Sequence, residues 1–343
     1  MCSRTVARIL AIPILMLVSL VTSAGDASAG GIDRTTFVPI GGIDQWISIK
    51  GDDRRNPLLL VVHGGPGESQ WPQAERYVPW EKAFTVVQWD QRGAGHTYGR
   101  YGAQIPGFSL DRIARDGIEL TGYLCRTLGK KKIIVLGHSW GSTVAISMVT
   151  LRPELFAAYV GTGQAESWSA TMNLQYDMAL AKAREDGDAE AVKKLETNGR
   201  PSLTDPKQAF SVNTWPAMAP SDKAWIQSLR ANLPVLRAAH PKDMQDYEDG
   251  FRFSIDRALP DQMKLDLPTT AGNIGTAFFI IQGQDDIMAP TAAAVDYFNR
   301  VKAPKKELML IPNAGHFAFM TAPDEFLAAL VARVRPVAIA NGG

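Results

Sequence analysis

The sequence predicts an α/β fold: a mostly parallel sheet with helices on both faces, interrupted by an inserted helical cap. Three observations carry this. Unbroken apolar runs, the mark of strands buried on both faces, alternate with stretches of helical length. One of these runs, Lys130–Leu136, enters Gly137-His138-Ser139-Trp140-Gly141 and leaves as the apolar helical stretch Ser142–Met148. The strand signal is lost from Ala165 to Leu267 and resumes at Thr276–Gln282.

Taken in order, residues 1–29 read as a targeting segment. Arg4 and Arg8 precede an apolar run from Ile9 to Val21, and Ala27-Ser28-Ala29 supplies a small-residue cleavage site. This describes a secretory signal peptide, so the mature chain is expected to be exported, periplasmic or secreted. The run contains Pro13 and is short for a membrane span, so no stable membrane association is expected after cleavage. Cys2 leaves with that segment, and Cys125 alone remains.

Phe37–Ile40, Gly41-Gly42 and Gln45–Ile49 read as a hairpin. Leu58–Val62 is a core strand ending in His63-Gly64-Gly65-Pro66-Gly67. Ala83–Trp89 is a second, running into Asp90-Gln91-Arg92-Gly93-Ala94-Gly95. A helix is expected from Leu110 to Leu128, capped by Ser109 and stopped by Gly129. The Gly-x-Ser-x-Gly turn follows, then a strand over Tyr159–Gln164. The interval 165–267 is charged and helix-rich, and because strands resume after it we read it as a cap on a core formed by 30–164 and 268–343. Glu307–Ile311 is the last strand, followed by a loop with His316 and a closing helix, Ala322–Val334.

The chain has 343 residues, with 36 Lys and Arg against 35 Asp and Glu, so no bulk attraction to nucleic acid is expected. Histidines and cysteines do not cluster at ligand spacing, so neither metal nor cofactor is expected.

The chemistry centres on Ser139. A tight strand-to-helix turn leaves no room for side chains two places either side of its apex, which glycines at 137 and 141 satisfy. A serine hydroxyl needs a histidine base, and that base needs a carboxylate to hold it. Five histidines are present. His138 adjoins Ser139 on the turn, His63 and His96 lie in earlier loops, and His240 lies in the cap. His316 alone follows the last strand, where the base belongs. The carboxylate belongs after the preceding strand, where Asp285 and Asp286 compete. Developing negative charge on the substrate would be met by the backbone N–H of Trp140 and one from the 63–67 loop, with Gly65 expected first and Gly64 next. Asp90 and Arg92 are expected to pair or cap loops.

These motifs, occurring together and in this order, resemble the α/β-hydrolase family that includes proline iminopeptidases (prolyl aminopeptidases). The resemblance covers most of the chain from Phe37 onwards. It implies an eight-stranded α/β-hydrolase fold with a helical cap, and the triad Ser139, Asp286 and His316. It implies an exported serine hydrolase that releases an N-terminal residue, proline preferred, from a small-molecule or short-peptide substrate. Aminopeptidases of this group hold the substrate's amino group with cap carboxylates, because a buried ammonium needs a partner. Glu166 and Glu248 are the expected anchors, with Asp177 and Asp249 as further candidates. Glu68 departs from the glycine and small-residue continuation associated with iminopeptidases. A carboxylesterase with the same triad is the alternative, and a non-hydrolytic binding protein on the same fold is the third reading.

Overall fold

A computed structural model describes residues 30–208 and 211–343; the expected signal peptide lies outside the described residues. The chain opens with β1 (Ile32–Ile40) and β2 (Ile43–Gly51), joined at Gly41-Gly42. Both glycines have positive φ, 60° and 80°, as a mirror-image two-residue hairpin turn requires. The strands run further than the alternation suggests, because polar residues from Ile32 outward continue the antiparallel ladder at a solvated edge. β3 (Leu58–Val62) and β4 (Thr85–Trp89) follow, separated by a 3-10 segment, Trp71–Lys82.

Next come α1 (Gly95–Tyr101) and α2 (Leu110–Leu128). The Ser109 hydroxyl accepts from the Arg112 N–H, and left-handed Gly129 ends α2, as read from the sequence. β5 (Ile133–His138), α3 (Trp140–Leu151) and β6 (Phe156–Thr162) complete the first half. Among the described residues five α-helices then intervene: α4 (Trp168–Glu185), α5 (Ala189–Asn198), α6 (Pro220–Ala239), α7 (Pro241–Gln262) and short α8 (Leu267–Thr270). The sheet resumes with β7 (Ala277–Gly283), α9 (Thr291–Arg300) and β8 (Lys306–Ile311).

After α10 (Ala318–Thr321), the expected closing helix Ala322–Val334 forms as α11 (Pro323–Ala329) and a contiguous π turn over Leu330–Val334, and α12 (Arg335–Ala340) extends it. Pro323 stands in the first turn of α11, where its missing N–H is not needed, and the chain stays helical through the π turn and Pro336 to Ala340.

The eight strands lie in the order β1-β2-β4-β3-β5-β6-β7-β8. The β1–β2 and β2–β4 pairs are antiparallel and all later pairs parallel. Alternate residues of β3 feed two cores. Leu58, Leu60 and Val62 pack with Ile113, Leu120 and Val144 on one face. Leu59 and Val61 pack with Tyr77, Trp80 and Phe326 on the other. Burial on both faces is why these strands read as unbroken apolar runs. Their parallel pairing puts the carboxyl ends of β3, β5, β6 and β7 at one edge, where the loops of interest gather.

Candidate active site

Ser139 sits at the apex between β5 and α3 with φ 54° and ψ −123°, a conformation that costs a non-glycine residue about 1–3 kcal/mol. Its neighbours make the turn possible. A Cβ on Gly137 would lie 2.4 Å from the Gly141 carbonyl oxygen, and one on Gly141 would lie 2.0 Å from that of Val62. The Ser139 N–H donates to Thr162 O at 3.0 Å, and its carbonyl accepts from the Ser142 hydroxyl at 2.6 Å. The strained residue is therefore held from both sides.

His316 and Asp286 meet across the ends of β7 and β8. His316 Nδ1 lies 2.9 Å from Asp286 Oδ2 and 3.2 Å from Oδ1, and both residues are buried. Oδ1 also accepts from the Ala289 N–H at 2.9 Å, which fixes the carboxylate. Asp285, the competing aspartate, is exposed on the same turn. Burial pulls the His316 imidazole down, but the negative charges of Asp286, Asp222 and Glu68 outweigh it and hold its pKa above the ordinary value. A Cβ on Gly163 would lie 2.8 Å from His316 Cε1, so the end of β6 leaves space for the ring.

His63, His138 and His96 serve the scaffold. His63 lies 2.9 Å from the Gly64 carbonyl through Nδ1 and accepts the Gln91 N–H at Nε2, tying the loop after β3 to the one after β4. His138 Nε2 donates to the His316 carbonyl at 3.1 Å; burial, then the neighbouring His316, pushes its pKa well below normal, so it stays neutral. His96 stacks on Trp46 and bonds Asp90, which also accepts from the Ser69 hydroxyl. Arg92 pairs with buried Asp116 and donates to the carbonyls of Gly41 and Pro106. Asp90 and Arg92 thus bind loops to one another.

Ser139, His316, Gly65 and Trp140 all line one cavity of about 530 Å³ between the sheet edge and the cap. Its walls come from α4 (Trp168, Met172, Gln175), the stretch before α6 (Trp215, Met218), and Leu265 and Met288. The Trp140 indole N–H is buried and finds no partner among the described residues. His316 is the sole titratable side chain among the described lining residues, and no carboxylate is among them.

The structure brings neither Glu166 nor Glu248 to that cavity, and this corrects the expectation for both. Ala165 and Ser167 line it, so the extended chain turns Glu166 between them to the opposite side. There its carboxyl lies near α9, where burial and the charge of Asp296 push its pKa up to about 7. Glu248 is on α7, where it pairs with Arg237 and Arg252. Asp177 and Asp249 likewise pair with Arg200 and Arg252. Two carboxylates near His316 were missed. Glu68, three residues past Gly65, has its pKa pushed up to about 7 by burial, opposed by His316. Asp222, on α6, bonds the backbone of His316. The position of Glu68 directly after the glycine loop was the one available signal; nothing in the cap sequence marks Asp222.

A doubly wound sheet bearing a strained serine turn, with a paired histidine and aspartate at the same edge, defines a hydrolase-type class. The chain belongs to the alpha/beta hydrolase fold family, whose model matches residues 57–323. It is 27% identical to the probable aminopeptidase YbaC of Bacillus subtilis (strain 168), over 84% of this chain and 92% of that one. It is 25% identical to a probable proline iminopeptidase of Streptomyces coelicolor, over 79% and 85% of the two chains. Among solved structures, a proline iminopeptidase-related protein from Thermus thermophilus matches with a TM-score of 0.58 at 20% identity, covering 91% of this chain and 98% of that one. An esterase from Thermogutta terrifontis matches with a TM-score of 0.54 at 18% identity, covering 89% and 99%. The chain is thus a proline-iminopeptidase-like alpha/beta hydrolase.

Proposed function

We propose that this chain is an exported serine hydrolase that cleaves small esters or amides with an uncharged, apolar acyl part, through Ser139, His316 and Asp286. The observation that carries it is the buried His316–Asp286 pair at a cavity shared with the strained Ser139. Asp286 holds Nδ1–H, leaving Nε2 to take the Ser139 proton as Oγ attacks the carbonyl carbon. The backbone N–H groups of Trp140 and Gly65 receive the oxyanion; one such donor is worth about 10²–10³ in rate. The imidazolium then protonates the leaving alcohol or amine. Water, deprotonated by His316, attacks the acyl-enzyme and releases the acid.

The cavity favours the acyl hydrolase reading for its substrate. A prolyl substrate carries a cationic nitrogen, and burying that charge against a wall with no carboxylate among its described residues is costly. Aminopeptidase action with proline preferred is the second reading, supported by the names of the relatives. It would need the cation held from beyond the lining, and Glu68 is the carboxylate beside the Gly65 loop.

A panel decides between them: short-chain nitrophenyl esters, proline naphthylamide, and its N-blocked form, each with the parent and with Ser139→Ala. Ester and blocked-amide turnover lost in Ser139→Ala supports the first reading. Turnover of free prolyl amide alone moves the assignment to the second. Full activity in Ser139→Ala overturns both. Export is checked by fractionation and by the N-terminus of the mature chain, expected near Gly30.

A further inference from the structure

A second aspartate grips the loop that carries His316, and it comes from the cap. Asp222 is the third residue of α6 and is 1% exposed. Its Oδ2 accepts the His316 N–H at 2.6 Å and its Oδ1 the Phe317 N–H at 3.3 Å. The preceding residue, Ser221, donates its hydroxyl to the Asn313 carbonyl at 3.0 Å. Two consecutive cap residues therefore clasp both ends of the loop 313–317. Between those ends, Gly315 leaves the space the carboxylate fills: a Cβ there would lie 2.2 Å from Asp222 Oδ2.

The arrangement divides the holding of His316. Asp286, from the core, bonds the ring; Asp222, from the cap, bonds the main chain. A buried carboxylate is costly unless hydrogen-bonded, and two N–H donors meet that need with charge-assisted bonds. An uncharged residue would suffice to fill space at this contact. The stretch just before α6 is also part of the cavity wall: Asn213, Thr214, Trp215 and Met218 line it, and Asp222 is four residues beyond Met218. The wall that meets the acyl group and the carboxylate that meets the histidine loop thus lie on one short piece of chain.

We propose that Asp222 is a positioning residue, through which the cap sets the place and charge of His316 and ties both to the wall of the acyl cavity. This rests on the reading of His316 as the base. Four titratable groups face that imidazole: Asp286 from the turn after β7, Asp222 from α6, Glu68 from the loop after β3, and His138 from the serine turn. The three carboxylates favour the imidazolium, so removing one of them lets the ring lose its proton at lower pH.

The test is the pH dependence of kcat and kcat/KM for a nitrophenyl ester, measured on the full chain. Asp222→Asn keeps the size and removes the charge. The acidic limb is expected to move down by about 0.5–1 pH unit, the displacement of a nearby charge. We expect kcat to fall about tenfold with KM nearly unchanged, since the lost interaction acts on the base rather than on binding. Gly315→Ala displaces the same carboxylate without removing it, and should move the limb in the same direction. It decides the matter should Asp222→Asn not fold. A limb that stays in place in every folded variant, with kcat within twofold of the parent, overturns the proposal even if melting temperatures drop, because a purely structural clasp would do only that. His316→Ala separates the two levels of argument. If it retains activity, the base assignment itself fails. If it is inactive while both Asp222→Asn and Gly315→Ala match the parent, only the role of Asp222 fails.

Discussion

Gly141→Ala tests whether the serine turn is held by sterics in the way the structure indicates. The added Cβ would lie 2.0 Å from Val62 O and 2.5 Å from His63 O. Ordinary contact needs about 3.5 Å, so a gap of roughly 1.5 Å must open. β3 cannot yield, because Val62 is fully buried and β3 is paired with β4 on one side and β5 on the other. The start of α3 must move instead, taking Ser139 and the Trp140 N–H away from Gly65. Overpacking of this kind costs about 1–3 kcal/mol, and a displacement near 1 Å in a catalytic group costs about 10²-fold in rate. We therefore expect kcat/KM on the best ester to fall about 10²-fold, with a melting temperature lower by roughly 1.5–5 °C. The control is Gly122→Ala on α2, where the nearest contact is the tip of Arg126 at 3.3 Å and helix propensity improves by up to about 1 kcal/mol. It should keep full activity. A Gly141→Ala protein with kcat/KM within threefold of the parent would refute the steric account of the turn.

Asp286→Asn should lower kcat by about 10³–10⁴-fold, as expected when the carboxylate that sets the histidine tautomer is lost. Because Asp286 raises the His316 pKa, any residual activity should extend to lower pH, as read from the acidic limb of kcat/KM. Asp116→Ala leaves the buried Arg92 guanidinium with carbonyl acceptors alone; breaking such a pair costs about 3–5 kcal/mol, or a melting temperature lower by roughly 5–8 °C, and a drop under about 2 °C would contradict it. Glu166 gives a stability effect with a definite sign. Its pKa, pushed up to about 7 in the folded chain against an ordinary value of 4.5, means the native state binds the proton more tightly. Folding stability is therefore lost as pH rises through that interval. Glu166→Gln, neutral throughout, should melt higher than the parent at pH 8 and nearly equally at about pH 4, below the ordinary value.

What the sequence showed and what it hid divide along a physical line. The Ser109 and Gly129 ends of α2, the core strands and the glycine pair around Ser139 were legible, because each follows from local backbone chemistry or a period set by two buried faces. The parallel sheet with its helical insertion followed from the same alternation. The cap side chains were not legible. Periodicity says which residues share a helix face, but not what that face meets. So Glu248, which pairs with Arg237 and Arg252, and Glu166, turned away between Ala165 and Ser167, could not be told from ligand-facing acids. Asp222 was hidden for the same reason. It sits in a polar helical start that looks solvated until α6 is docked against the loop at Asn313. The closing helix was legible too: α11 and the π turn cover Pro323–Val334 where Ala322–Val334 is expected, and only its extension through Pro336 into α12 was not read.

The uncharged lining of the cavity has a consequence for how molecules arrive there. Steering by long-range fields needs a focused charge, and this chain carries a net charge of only +1, with no acidic or basic side chain other than His316 among the described lining residues. Encounter should then proceed at an unassisted diffusional rate, and kcat/KM should change little between dilute and concentrated salt. Charged molecules in the medium are neither gathered nor turned back at a distance. Discrimination falls on fit within the tryptophan- and methionine-lined space, where one methylene more or less is worth about 1–3 kcal/mol. Such a site sorts a crowded mixture by shape and oiliness, one collision at a time.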